Sequence, residues 1–249
     1  MANHVVVFDL DGTLANTMDD LHTAISGMLT RLGYPTRTKE ELLGFINNGA
    51  REFVRRSLPE DVQQSELIID TAVSVYDEEY AKCFADQTHL YDGIMEMLDE
   101  LKKETGCKFA VLSNKQDKFV KHIIAKLFPE KFFAIVQGQE AGVPTKPDPT
   151  SLLTICRLLR TKPENCTLVG DSDVDIKTAK NADVKGIGVS WGYRAPSVLR
   201  EAGATLIAES PEQLYDFLIL KIRDNIYANR ARKPCSFFHK RTMCVHQFK

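Results

Sequence analysis

Apolar positions along this chain follow two rhythms, short continuous runs and helical stripes, and the two alternate. Continuous runs rich in Val, Ile and Phe occupy residues 5–10, 108–113, 134–137, 166–170, 186–190 and, more weakly, 205–208. Runs of that kind predict strands covered on both faces. Between them the spacing changes to that of helices. Residues 93–104 place Ile94, Met97, Leu98 and Leu101 on one face, and residues 118–127 do so with Val120, Ile123, Ile124 and Leu127. A third stripe, 148–159, has Pro149 where a helix start tolerates it, then Leu152, Leu153, Ile155, Cys156 and Leu159. Strand and helix in repeated alternation predict an α/β fold with a doubly wound parallel sheet.

One segment breaks the alternation. Between the first run and Lys108 the pattern is helical, with Leu21, Ala24, Ile25, Met28, Leu29 and Leu32 on one stripe of 17–32 and a second long stripe over 65–84. A single crossover does not need so much chain. The pattern predicts a helical second domain over roughly 17–85, inserted into a core made of 1–16 and 86–220.

Charge and composition refine this picture. At 43% apolar and 27% charged residues, the 249-residue chain has ordinary globular composition. The net charge of −2 hides an asymmetry, since residues 221–249 hold eight Lys/Arg against one acid. That basic tail lacks periodicity and is expected to be a disordered, solvated extension. Its Cys235, His239, Cys244 and His246 are spaced unlike common zinc fingers, and no nucleic-acid motif accompanies the basic residues. Neither zinc nor nucleic acid is therefore expected as a partner. Six scattered cysteines without a CxxC pair favour reduced thiols. The first apolar stretch is too short for a signal peptide and no run reaches transmembrane length, so a soluble cytoplasmic protein is expected.

The chemistry gathers where strands end. In the stretch ending Phe8-Asp9-Leu10-Asp11-Gly12-Thr13, the two acids are two residues apart at the end of a strand, so they share a side. In open α/β sheets that edge is where ligands sit. A turn alone would explain Asp and Gly here. It does not explain a second cluster, Asp171, Asp173 and Asp175, after the run 166–170. Carboxylates gathered about 4 Å apart repel by roughly 4 kcal/mol at an effective dielectric of 20. They need a cation or must protonate, and Mg²⁺ held by carboxylates and phosphate oxygens fits. Ser113-Asn114 and Lys146, set between Pro144 and Pro147, add a hydroxyl, an amide and a cation at neighbouring strand ends. Nucleophile, proton carrier, metal and cation together suit phosphoryl transfer.

In order and type, Asp9-x-Asp11-Gly-Thr13, Ser113-Asn114, Lys146-Pro and Gly170-Asp171-x₃-Asp175 resemble the haloacid dehalogenase superfamily over about residues 4–220. The resemblance implies a Rossmann-like core with a helical cap. It implies that Asp9 forms an aspartyl-phosphate and that Asp11 protonates the leaving alcohol and then activates water. The Asp9 carboxylate, the Asp11 backbone carbonyl and Asp171 would ligate Mg²⁺. Thr13, Ser113, Asn114 and Lys146 would bind the phosphoryl group, with Asp175 supporting Lys146 or the metal shell from behind. Asp11 argues against the dehalogenase branch, which lacks that acid.

Within the superfamily the pattern is similar to phosphoglycolate phosphatases, through Asn48-Gly49 in the cap, Tyr91-Asp-Gly93, and Trp191-Gly-Tyr193-Arg194. It departs at Ala182-Asp183, where Ala-Gly is more usual. The resemblance implies that the Asn48-Gly49 turn faces the site. As a helix start, Asn48 would cap the stretch 51–58, and that helix's N-terminus would favour an anion. Arg51, with Arg55 and Arg56, is the candidate for a substrate carboxylate. The expected partner is a small phosphate ester, 2-phosphoglycolate first. A phosphomutase, a pyrophosphatase or nucleotide phosphatase, and a non-catalytic phospholigand-binding protein are the alternatives.

Overall fold

In a computed structural model that describes residues 4–231, the apolar run at the N-terminus is the central strand β1 (Val5–Phe8), with every residue buried. It lies between β4 (Lys108–Gln116) and β6 (Cys166–Gly170), parallel to both. With β5 (Ile135–Gln139), β7 (Lys185–Val189) and β8 (Ile207–Ala208), the order among the described residues is β5-β4-β1-β6-β7-β8. Helices α5 (Ile94–Thr105), α6 (Asp117–Leu127), α7 (Thr150–Leu158), α8 (Asp173–Asn181) and α9 (Pro196–Glu201) connect the strands. Alternate residues of β1 feed two cores. Val6 and Phe8 pack among Leu98, Phe109 and Leu218, whereas Val5 and Val7 pack among Leu152, Ile155 and Leu168. Burial on both sides is the reason the strand reads as continuous apolar sequence.

The excess helical segment forms α1 (Met18–Arg31), α2 (Lys39–Leu43), α3 (Ala50–Ser57) and α4 (Glu66–Cys83). These share an apolar core of their own, with Leu21, Ile25, Met28, Phe53, Ile69, Tyr76 and Tyr80, which Phe119 of α6 joins from below. Helix α2 begins with a capping box in which Thr38 and Glu41 satisfy each other's backbone N–H. The chain enters and leaves this layer through a two-stranded antiparallel ribbon, β2 (Ala15–Asn16) and β3 (His89–Leu90). Neither strand is legible as an apolar run, because each is two residues long.

Two expectations are corrected. The stretch from 221 begins as helix, since α10 (Pro211–Ala231) runs through it. Ile222 is buried and Arg223 pairs with Glu104 of α5 at 2.9 Å, so tertiary packing overrides the basic composition there. Cys235, His239, Cys244 and His246 lie outside the described residues. Asn48 does not cap α3: Gly49 holds the N-cap position at φ +84°, and no side chain caps it. At the departure from the usual Ala-Gly, Asp183 takes the left-handed conformation (φ +54°) that glycine favours. Cys83, Cys107, Cys156 and Cys166 are buried and unbridged. No helix among the described residues is long and apolar enough to cross a membrane.

Candidate active site

The C-terminal ends of β1, β4 and β6 and the loop before α7 bring Asp9, Ser113, Lys146 and Asp171 together under the helical layer. All four are buried. Lys146 Nζ lies 3.0 Å from Asp9 Oδ1 and 2.6 Å from Asp175 Oδ1, with its side chain 3% exposed. Asp175 also accepts from Ser172 Oγ (2.6 Å) and Ser172 N (3.2 Å), closing the capping box that starts α8. One residue thus caps a helix and aims the lysine. Asp173 stays outside this arrangement, paired with Lys177 on the surface of α8.

Asp171 is enclosed by backbone. Tyr193 N donates to its Oδ2 at 2.6 Å, and Thr13 Oγ1 lies 3.5 Å from Oδ1. A Cβ on Gly12 would sit 2.3 Å from Asp171 Oδ2, and one on Gly192 would sit 2.2 Å from Asp171 Cβ. Glycine at both positions is what lets the two loops close on this carboxylate.

Asp9, Asp171 and Asp175 each offer a carboxylate oxygen, all within 4.8 Å of one another. Lys146 alone pairs with that group among the described residues. Burial raises the Asp9 carboxyl from 3.8 to about 7, against the pull of Lys146 and with the help of Asp175 and Asp11. Asp171 is pushed well above the carboxylate range by burial and by the Asp175 and Asp9 charges. Lys146 is raised above the ordinary lysine range by Asp175 and Asp9, which outweigh its burial. Three buried carboxylates around one ammonium form an electrostatically unfinished cluster. A divalent cation among hard oxygen ligands would complete it.

Between about pH 4 and pH 7 the folded protein keeps a proton on Asp9 that the unfolded chain has released, so stability falls as pH rises through that window. A cation that takes the deprotonated carboxylates acts in the opposite sense. The rise in melting temperature on replacing EDTA by MgCl₂ is expected to be several degrees near pH 8 and close to nothing near pH 5. Equal shifts at the two pH values would refute this electrostatic account.

The carboxylate of Asp11 is not part of that cluster. Its Oδ1 accepts from Thr17 Oγ1 at 2.6 Å and from Lys115 Nζ at 2.7 Å. A half-open cavity of about 40 Å³, room for a few waters, joins Asp9, Asp11, Ser113, Asn114, Lys115 and Lys146. Its roof is the helical layer, through Leu21, Ile46, Asn47, Gly49, Ala50, Phe53 and Tyr76.

Several expected binding residues sit differently. Asn114 spends its amide on backbone: Nδ2 donates to Lys146 O (2.9 Å) and Asn47 O (3.0 Å), while Oδ1 accepts from Lys146 N (2.8 Å). It brackets the lysine and the roof, leaving no N–H for substrate. Asn48 is exposed, and its neighbour Asn47 lines the cavity with a buried Nδ2 that has no partner. Arg51 points away, to Asp70 (2.6 Å) and Glu66, and Arg55 and Arg56 also pair with acids of α3 and α4. Thr13 lies beside Asp171 and does not line the cavity.

Lys115 and Asn47 carry no signal of a role in the sequence, where Tyr193 and Arg194 mark only family likeness. Tyr193 Oη accepts from Thr17 N at 2.8 Å, at the entry to α1. Arg194 donates to the carbonyls of Leu43 and Ile46, the latter at 2.8 Å, so one core loop holds both Asp171 and the roof.

Comparison with known proteins agrees with this geometry. The family model of haloacid dehalogenase-like hydrolases matches residues 6–189. The chain belongs to that family. It is 32% identical over 213 residues to phosphoglycolate phosphatase 1 of Pseudomonas aeruginosa, covering 84% of this chain and 78% of that protein. It is 31% identical over 224 residues to the phosphoglycolate phosphatase of Psychrobacter arcticus, covering 88% and 97%. A solved structure from Lactobacillus delbrueckii subsp. bulgaricus superposes with a TM-score of 0.80 at 28% identity, over 88% of this chain and 99% of that one. By this kinship the haloacid dehalogenase-like chain is a phosphatase, a hydrolase of phosphoric monoesters.

Proposed function

We propose that the enzyme is a cytoplasmic, Mg²⁺-dependent phosphatase of a small phosphate monoester, 2-phosphoglycolate, and that it works through a phosphorylated Asp9. The observation that carries this reading is the buried group of Asp9, Asp171 and Asp175 around Lys146, facing a cavity that also holds Asp11. The substrate rests on the curated relatives, which are phosphoglycolate phosphatases.

Asp9, Asp171 and the backbone carbonyl of Asp11 would hold Mg²⁺, which supplies positive charge to the phosphoryl oxygens. Lys146 Nζ and Ser113 Oγ bind the remaining phosphoryl oxygens. An Asp9 carboxylate oxygen attacks phosphorus in line, and the bond from phosphorus to the ester oxygen breaks. Asp11 gives its proton to the departing alkoxide. In the second half Asp11 takes a proton from water, the water oxygen bonds to phosphorus, and the Asp9–phosphate bond breaks to release orthophosphate. Proton transfer of this kind contributes about 10²–10⁴-fold. Asp175 and Asn114 act at one remove, holding Lys146 by its ammonium and its backbone.

The test is phosphate release from a panel that includes 2-phosphoglycolate, pyrophosphate, a nucleoside monophosphate and a sugar phosphate, with Mg²⁺ and with EDTA. Mg²⁺-dependent release led by 2-phosphoglycolate is expected. Uniformly slow release would remove the substrate assignment, and an isomeric ester as product would make the enzyme a phosphomutase.

A further inference from the structure

Lys115 is the penultimate residue of β4, beyond the strand's apolar stretch, yet its ammonium lies inside the molecule, with the side chain 7% exposed. It stands two residues after Ser113 on β4, and both residues line the same cavity. One face of the ammonium meets the Tyr80 ring, 5.0 Å from its centroid, and one N–H goes to Asp11. An ammonium carries three donors, so this pairing leaves capacity for a further oxygen.

The charge balance of the cavity gives that capacity a meaning. Leu21, Ile46, Ala50, Phe53 and Tyr76 make most of the roof apolar, with the Asn47 amide as its polar exception. The roof's nearby arginines turn outward to acids, and Arg194 is committed to carbonyl oxygens. Of the two ammonium groups lining the cavity, Lys146 is held between Asp9 and Asp175 at the phosphoryl end. Among the lining residues Lys115 is the one cation left to meet a negative charge on the leaving group, beside the neutral, unpartnered Nδ2 of Asn47.

We propose that Lys115 is the specificity-determining residue that reads a carboxylate on the leaving alcohol. The proposal rests on the phosphatase reading above and sharpens it. Because Nζ touches the carboxylate that protonates the ester oxygen, an acidic group bound to Lys115 lies close to that oxygen. It fits esters whose carboxylate is attached directly to the ester-bearing carbon. Longer acidic alcohols would have to pass the apolar roof, and neutral alcohols would leave the ammonium without its second oxygen. A buried charged hydrogen bond of this type is worth about 10–100-fold in kcat/KM.

The experiment compares 2-phosphoglycolate with ethyl phosphate, its neutral two-carbon counterpart, for the wild type and Lys115→Met. The wild type should prefer 2-phosphoglycolate, and the variant should lose about 10–100-fold of that ratio, whatever happens to the rate common to both esters. Inhibition by orthophosphate, which has no carboxylate, should survive with similar Ki and so report a folded phosphate site. An unchanged ratio in a variant still inhibited by orthophosphate would overturn the proposal and leave the phosphatase reading standing. Failure of the wild type to release phosphate from either ester would overturn both.

Discussion

Asp9→Asn is expected to lower phosphate release by about 10⁴-fold or more, the scale on which removal of a covalent nucleophile is felt. The change keeps the shape of the side chain and removes its charge and nucleophilicity. It also relieves the crowding that pushes Asp9 to about 7 and Asp171 well above its usual range. The variant should therefore melt at a higher temperature than the wild type near pH 8 in EDTA, and should lose most of the stabilisation by MgCl₂. Lys146 keeps Asp175 as a partner, so no unpaired ammonium is left in the core. An inactive protein that is more stable than its parent is the mark of a functional site held together at a cost. Substantial phosphate release by Asp9→Asn would end the covalent mechanism.

The frame that positions these groups was legible because physics at sequence level and at tertiary level coincide there. A central parallel strand must be apolar on both faces, so Val5–Phe8 announces itself, and the acids at its end fall on the ligand edge. Glycine at 12 beside them marks a loop that closes on Asp171. The helical stripes of α1 and α4 were legible for the same reason, since each buries one face in the roof's own core.

What the sequence hides are residues whose role depends on a partner far along the chain. The apolar run 108–113 ends before β4 does, because its last residues leave the core and enter the site. Lys115 lies where the β4 ladder shifts register, and an isolated lysine normally reads as a solvated charge. Asn47 and Asn48 are chemically the same, and nothing in the sequence marks that Asn47, at φ +85°, lines the cavity while Asn48 is exposed. Arg51 looked like an anion site until α4 supplied Glu66 and Asp70 opposite it. Arg194 answers to carbonyl groups, which carry no sequence signature at all.

Asp11→Asn should separate the two halves of the reaction. The Oδ1 of asparagine can still accept from Thr17 and Lys115, so the local structure is expected to hold. What is lost is the proton. With 2-phosphoglycolate the departing alkoxide goes unprotonated, and turnover should fall by about 10²–10⁴-fold. With nitrophenyl phosphate the leaving group is stable as an anion and needs little help, so phosphorus can still pass to Asp9. The second half needs a base to activate water whichever alcohol has left. The variant should then release nitrophenolate in a burst of one per enzyme, followed by slow turnover, and carry the added mass of one phosphoryl group on Asp9. Rapid-quench kinetics and intact-mass measurement read both signals. Slow release of nitrophenolate without a burst would show that the first half limits turnover even with this leaving group, against the expected separation of the two halves, and unimpaired turnover of both esters would remove Asp11 from the chemistry altogether.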